Sequence, residues 1–289
     1  MARALTTKDR AMAPPAAQPC ATEAGAGDSA LVQAARRHDA AIVDAVMAAL
    51  DRKQALLAFQ PVMSAADRSR TAFHEALIRI TDDAGRIVPA GEFIATVEDG
   101  ETGRRIDCLA LELGLRELAC EPSLRLAVNM SARSIGYRPW LRVLEAGLSG
   151  RPDVGERLIL EVTERSAMGM PELVQSFMED LHEKGVAFSL DDFGTGQTSL
   201  RYLRDFAFDI MKIDGQFVRG ISKDPDNRAL TRAMIDIARH FEMMTVAECI
   251  ENDADAAVVA DLGADCLQGW HCGMPTVSPS WRTAERRRA

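Results

Sequence analysis

Five carboxylates in this chain stand in or at the end of short apolar runs: Glu75 within TAFHEALIRI, Glu161 in RLILEVTE, Asp191 and Asp192 closing VAFSLDD, and Glu248 closing MMTVAE. Asn129 sits at the end of LRLAVNM, Lys212 and Asp214 at the end of FDIMKID, and Gln268 in ADCLQGW. One carboxylate at such a place ordinarily caps the helix that follows, and Asp192 or Asp214 could each be just that. Brought to one edge, however, ionised carboxylates repel and raise one another's pKa values, so something positive should sit among them. An all-oxygen donor set with one amide, and without paired His or Cys, suits hard cations such as Mg2+ or Mn2+ rather than zinc. An adjacent pair such as Asp191 and Asp192 can serve two neighbouring ions, a geometry suited to in-line displacement at phosphorus. Phosphoryl hydrolysis is the chemistry these residue types indicate.

The elements that would gather them are legible as alternation. Strand-like runs begin at Leu56, Thr71, Leu124, Arg157, Val186, Phe208, Met243 and Ala264, with helix-forming stretches between most of them. That pattern calls for a largely parallel α/β sheet closed into a TIM-like (β/α)8 barrel, whose catalytic groups sit where the strands run out. The connection from Ser64 to about Arg70 is too short for a parallel crossover, which needs about a dozen residues or more. The first strand is therefore expected antiparallel to the rest. From Ser29 to Gln54, apolar residues recur at helical spacing (Ile42, Val43, Val46, Met47, Leu50), giving an N-terminal helical segment over 29–54 that packs on the edge of the domain.

Composition sets the bounds. The chain has 289 residues, 47% hydrophobic and 27% charged, enough for one large core. A formal net charge of -9, from 43 acidic and 34 basic residues, argues against broad capture of a nucleic acid polymer or an anionic membrane. No stretch is long and uncharged enough to span a bilayer, and the six cysteines form no CxxC pair, so a cytoplasmic protein with reduced thiols is expected. Residues 1–28, rich in Ala, Pro and Gly, read as a disordered leader, and the end RTAERRRA reads as a solvated basic tail over 281–289.

Taken together, the motifs resemble those of the EAL-domain cyclic di-GMP phosphodiesterase family. HEALIR (His74 to Arg79) resembles its EAL signature and DDFGTG (Asp191 to Gly196) its metal-binding loop; FQPV, VNMS, LEVTE, KID, AECIE and QGW follow in order. The likeness covers roughly Ile42 to Pro275, which places an EAL phosphodiesterase domain over 55–280. It implies metal-dependent opening of cyclic di-GMP to linear pGpG. It further implies that Glu75, Asn129, Glu161, Asp191, Asp192 and Glu248 hold two divalent cations, Mg2+ or Mn2+, with Glu75, Glu248 and Lys212 in the catalytic centre. Gln60, Arg79, Asp214 and Gln268 would face substrate, Arg79 through its planar fork of donors. Glu164 and Glu251 would brace the DDFGTG loop, and a homodimer would form through helices flanking it. Whether Lys212 serves as general base, electrostatic clamp or water positioner stays open.

Four positions depart from the family pattern. Gln197 and Thr198 stand where YS is typical, and Cys249 stands where glycine is usual, directly after Glu248. Cys249 reads as a small buried apolar residue or as a redox switch, and Trp270 replaces a common tyrosine. These departures keep a second reading in play, a catalytically weak domain acting as a cyclic di-GMP receptor or interaction module, with any sensor or regulator acting in trans. An unrelated metal-using barrel, such as an enolising enzyme, would share the carboxylates but has no reason to repeat the other motifs.

Overall fold

A computed structural model describes residues 30–196 and 203–285. The leader, Gln197, Thr198 and residues 286–289 lie outside the described residues. Two units divide after Asp39. The described part of the first is the opening of helix α1 (Ala30–Asp51), where Arg37 Nε donates to the Gln33 carbonyl one turn back. The second unit carries everything that follows.

Its strands are β1 (Ala55–Ser64), β2 (Thr71–Thr81), β3 (Ile87–Pro89), β4 (Leu126–Asn129), β5 (Leu158–Thr163), β6 (Ala187–Phe193), β7 (Ile210–Ile213), β8 (Met244–Ala247) and β9 (Cys266–Leu267). After α1 come helices α2 (Ile94–Val97), α3 (Glu101–Cys120), α4 (Arg138–Leu148), α5 (Pro152–Gly155), α6 (Glu164–Gly169) and α7 (Pro171–His182). The remaining helices are α8 (Gly215–Val218), α9 (Pro225–His240), α10 (Asp253–Leu262) and α11 (Ser280–Glu285). The sheet order β1-β9-β8-β7-β6-β5-β4-β2, with β1 also paired to β2, closes a barrel; β3 hangs on the outer edge of β2. All eight expected strands are present. β1 runs antiparallel to both its neighbours, β2 and β9, while β2 and β4 to β9 pair in parallel, as the short β1–β2 connection requires. The added strand β3, missed in the sequence, follows a turn in which Asp82 accepts from the Ala84 and Arg86 N–H groups.

Alternation along each strand divides its residues between two cores. Outward-facing Leu126, Leu160, Phe188 and their neighbours pack under the helices, in one core with Leu111 of α3. Inside the barrel, Val62, Phe73, Ala127, Ile159, Ala187, Ile210, Val246 and Cys266, one from each strand, form an apolar floor. A dry floor of this kind seals one end and leaves the C-terminal end of the parallel strands for polar groups. From Ala40 on, α1 belongs to this second unit, with Val46, Ala49 and Leu50 buried in its main core and Met47 exposed.

The segment read as a basic tail is docked at its start. Trp281 in α11 meets Phe59 and His74 edge-on, with ring centroids 5.2 and 4.7 Å apart, and its indole donates to Glu117. Arg282 pairs with Glu117, donates to the Val277 carbonyl and lies over the Phe59 ring. An aromatic face and a carboxylate partner outweigh solvation for these two side chains. Among the described residues, no helix is long and apolar enough to cross a membrane.

Candidate active site

Two residues beyond the apolar floor, toward the strands' C-terminal edge, the same inward rows turn polar: Glu75, Asn129, Glu161, Ser189, Lys212, Glu248 and Gln268, and Gln60 on the reversed β1. Lys212 is at the centre. Its side chain is 1% exposed, and Nζ lies 2.9 Å from Asp191 Oδ1, 3.0 Å from Glu248 Oε1, 3.4 Å from Glu161 Oε2 and 3.5 Å from Glu75 Oε2. Glu75 is further fixed by amides: Asn129 Nδ2 donates to Oε1 at 2.9 Å, and Gln268 Nε2 to Oε2 at 2.6 Å. Gln268 Nε2 also reaches Gln60 Oε1 at 3.3 Å, and Gln60 Nε2 donates to the Gly273 carbonyl.

Asp191 and Asp192 are consecutive, so in a regular strand they would face opposite sides. The ladder between β6 and β7 shifts between Leu190 and Phe193, and Asp192 has φ 56°. This left-handed residue, a conformation Asp tolerates better than most, breaks the alternation and brings both carboxylates to the mouth. Oxygens of Asp191, Asp192 and Glu248 lie within 4.8 Å of one another.

Charge balance leaves a deficit. Burial would lower the pKa of Lys212, but Asp191, Glu161, Glu248 and Glu75 together raise it well above its usual value. Burial also acts to raise Glu75, yet the Lys212 charge and the Gln268 and Asn129 donors hold it below the ordinary carboxylate range. Three of its neighbours go the opposite way. Burial first, and neighbouring carboxylates next, push Glu161 well up, Glu248 to about 8 and Asp192 to about 6. One ammonium is too little positive charge for five acids. Glu161 Oε1 and Asp191 Oδ1 are buried without a hydrogen bond; the latter faces Nζ as an ion pair without hydrogen-bond alignment. Orphaned oxygens in an all-oxygen, acid-rich pocket fit divalent cations.

Around this centre, Glu164 Oε2 accepts from the Gly194 N–H of the DDFGTG loop at 2.8 Å. Glu251 is exposed, and its Oε1 accepts from Arg219 Nε at 3.3 Å. Asp214 caps α8 through the Gln216 N–H, while Arg79 is half-buried with Nη1 on the Ile78 carbonyl. Trp270 is 68% exposed beside Gln268. Cys249 is half-buried rather than fully packed away, and Arg219 Nη2 donates to its Sγ.

Sequence reasoning missed Ser189, which is fully buried, level with Glu161 in the ladder, and has an unpartnered Oγ. The period-2 row Ala187, Ser189, Asp191 would have shown it. It also missed Asp107, a buried acid on α3 that accepts from the Ser131 N–H and the Ser134 hydroxyl and so ties down the loop after Asn129.

The family profile for the EAL domain matches residues 43–275. The signaling protein YkoW of Bacillus subtilis is 31% identical over 78% of this chain and 29% of its own length. Cyclic di-GMP phosphodiesterase PdeB of Shewanella oneidensis is 27% identical over 78% of this chain and 27% of its own. The chain thus spans under a third of these relatives. Among solved structures, a Pseudomonas aeruginosa MucR phosphodiesterase in complex with c-di-GMP has 28% identity and a TM-score of 0.72, covering 84% of this chain and 99% of its own. With its barrel, its acidic mouth and its matched span, the chain belongs to the EAL domain family.

Proposed function

We propose that this protein is a cyclic di-GMP phosphodiesterase that hydrolyses one phosphodiester bond of the cyclic dinucleotide to give linear pGpG. The observation that carries the reading is the buried Lys212 ammonium among Glu75, Glu161, Asp191 and Glu248, with orphaned oxygens left over, at the mouth of an EAL barrel. Relatives named as cyclic di-GMP phosphodiesterases in Shewanella oneidensis and Escherichia coli supply the substrate.

Glu75, Asn129, Glu161, Asp191, Asp192 and Glu248 would hold two Mg2+ or Mn2+ ions, which when bound acidify water and neutralise charge at phosphorus. The chain's own residues do the rest. Lys212, held at 2.9 to 3.5 Å from four carboxylates, is placed to hydrogen-bond the attacking oxygen or the phosphate without moving. Gln268 and Asn129 occupy both Glu75 oxygens and so fix the carboxylate's orientation. Arg79 offers its unused donors to a phosphate, and Gln60, Gln268 and Asp214 line the substrate side. Glu164 holds the loop that carries Asp191 and Asp192 through the Gly194 N–H. A homodimer and a cytoplasmic location belong to the same proposal, and sedimentation of the purified protein as a strict monomer would remove the first.

Chromatography of cyclic di-GMP incubated with the protein in Mg2+, in Mn2+ and in excess chelator tests the reading. Metal-dependent appearance of linear pGpG is expected. Binding of the dinucleotide without product would make the protein a receptor instead.

A further inference from the structure

Cys249 directly follows Glu248 and, like Asp192, has a positive φ of 56°. The backbone demands this conformation. Glu248 N–H donates to the Ile213 carbonyl of β7 at 3.1 Å, whereas Ile250 N–H donates to the Gln268 carbonyl beyond β9 at 2.9 Å, so the chain changes partner across Cys249. Glycine would adopt the left-handed turn at least cost, while an L side chain adds about 1 kcal/mol.

What the side chain does in return is visible on its other side. A Cβ placed on Gly215 would lie 2.5 Å from Cys249 Sγ and 2.7 Å from its Cβ, so the thiol is seated directly on the first residue of α8. Arg219, just past the other end of α8, donates from Nη2 to Sγ at 3.1 Å and from Nε to Glu251 at 3.3 Å. Gly215 follows Lys212 by three residues along the same chain segment. Cys249 therefore ties the residue after Glu248 to both ends of the helix that leaves the strand carrying Lys212.

We propose that Cys249 is a positioning residue for Glu248. Its thiol, clasped between Gly215 and Arg219, holds the strand end so that the Glu248 carboxylate keeps its place beside Lys212 and within reach of Asp191 and Asp192. The proposal rests on the metal-dependent reading of the site. A bare glycine would satisfy the backbone but lose the seat on Gly215 and the bond from Arg219.

Calorimetric titration of the full chain with Mn2+, beside thermal unfolding in chelator, tests the role in C249G, C249S and G215A. C249G is expected to unfold at the same or a higher temperature, because strain is relieved, yet to bind Mn2+ about tenfold more weakly. C249S, whose hydroxyl can accept from Arg219, should stay close to the parent. G215A, which collides with the thiol, should weaken Mn2+ binding in the parent but add no further loss in the C249G background. C249G binding Mn2+ as tightly as the parent overturns the positioning role, as does C249S weakened as far as C249G. A parent that binds Mn2+ but opens no cyclic di-GMP sinks the catalytic reading alone, whereas a parent that binds no Mn2+ overturns both.

Discussion

At the scale of residues, the site is a study in charge held against burial. Lys212 is fully enclosed, and what compensates it is the ring of carboxylates at 2.9 to 3.5 Å. Removing one partner of a buried ionic cluster is costlier than the net worth of the cluster, because the rest are left uncompensated. Lys212→Met should therefore lower stability in chelator by about 3 kcal/mol, with much of the loss recovered on adding Mn2+; an unchanged melting temperature in chelator would show that the ammonium is not what holds the acids together. Glu75→Ala and Glu248→Ala should each cut pGpG formation by on the order of a hundredfold or more if these residues hold the metal pair. A surviving rate in either variant would remove that residue from the centre.

Among the elements, α3 reaches into the site's support through Asp107. Burial outweighs its two hydrogen bonds, from Ser134 and Ser131, and raises its pKa from 3.8 to about 7. Because the folded state binds this proton more tightly than the unfolded chain, the stability it contributes is full below about pH 4 and falls as pH rises toward 7. Asp107→Asn keeps an acceptor for both donors and has nothing to titrate. It should be more stable than the parent at pH 8, by on the order of 2 to 4 kcal/mol, and the difference should vanish near pH 4; equal melting curves across the range would mean that Asp107 is ionised at no cost. Gly194 shows the same dependence on an element. Its φ is 98°, and an added Cβ would meet the Phe217 ring at 2.5 Å. Gly194→Ala should disturb the loop that carries Asp191 and Asp192, seen as weakened Mn2+ binding; a variant that binds Mn2+ like the parent would show that the loop yields.

For the whole molecule, closure of the barrel depends on a reversed first strand and on the chain's far end. Phe59 exchanges backbone hydrogen bonds with Thr276, and Trp281 and Arg282 cover its ring. The end of the described chain thus seals the strand that begins the barrel. Trp281→Ala should cost about 3 kcal/mol in unfolding free energy while leaving the turnover number near that of the parent, since α11 is remote from Lys212 in the contacts it makes. Loss of turnover without loss of stability would overturn this division of labour.

Much of this was fixed by the sequence itself. The eight runs, the short β1–β2 connection and the type of each polar residue were enough for the barrel, its antiparallel first strand and the site at its C-terminal edge, because alternation and chain length are local quantities. The apolar-then-polar rows, such as Ile159 with Glu161 and Ile210 with Lys212, are read directly from period two. Tertiary structure alone decided how groups far apart in the chain divide one another's hydrogen bonds and charge. It put Lys212 among four acids, turned Asp192 and Cys249 into the left-handed region, and paired Glu251 with Arg219. It also docked Arg282, which composition marked as solvated, on Glu117 and Phe59. Backbone strain and pairing between distant side chains depend on where other strands end, and no local pattern carries that information.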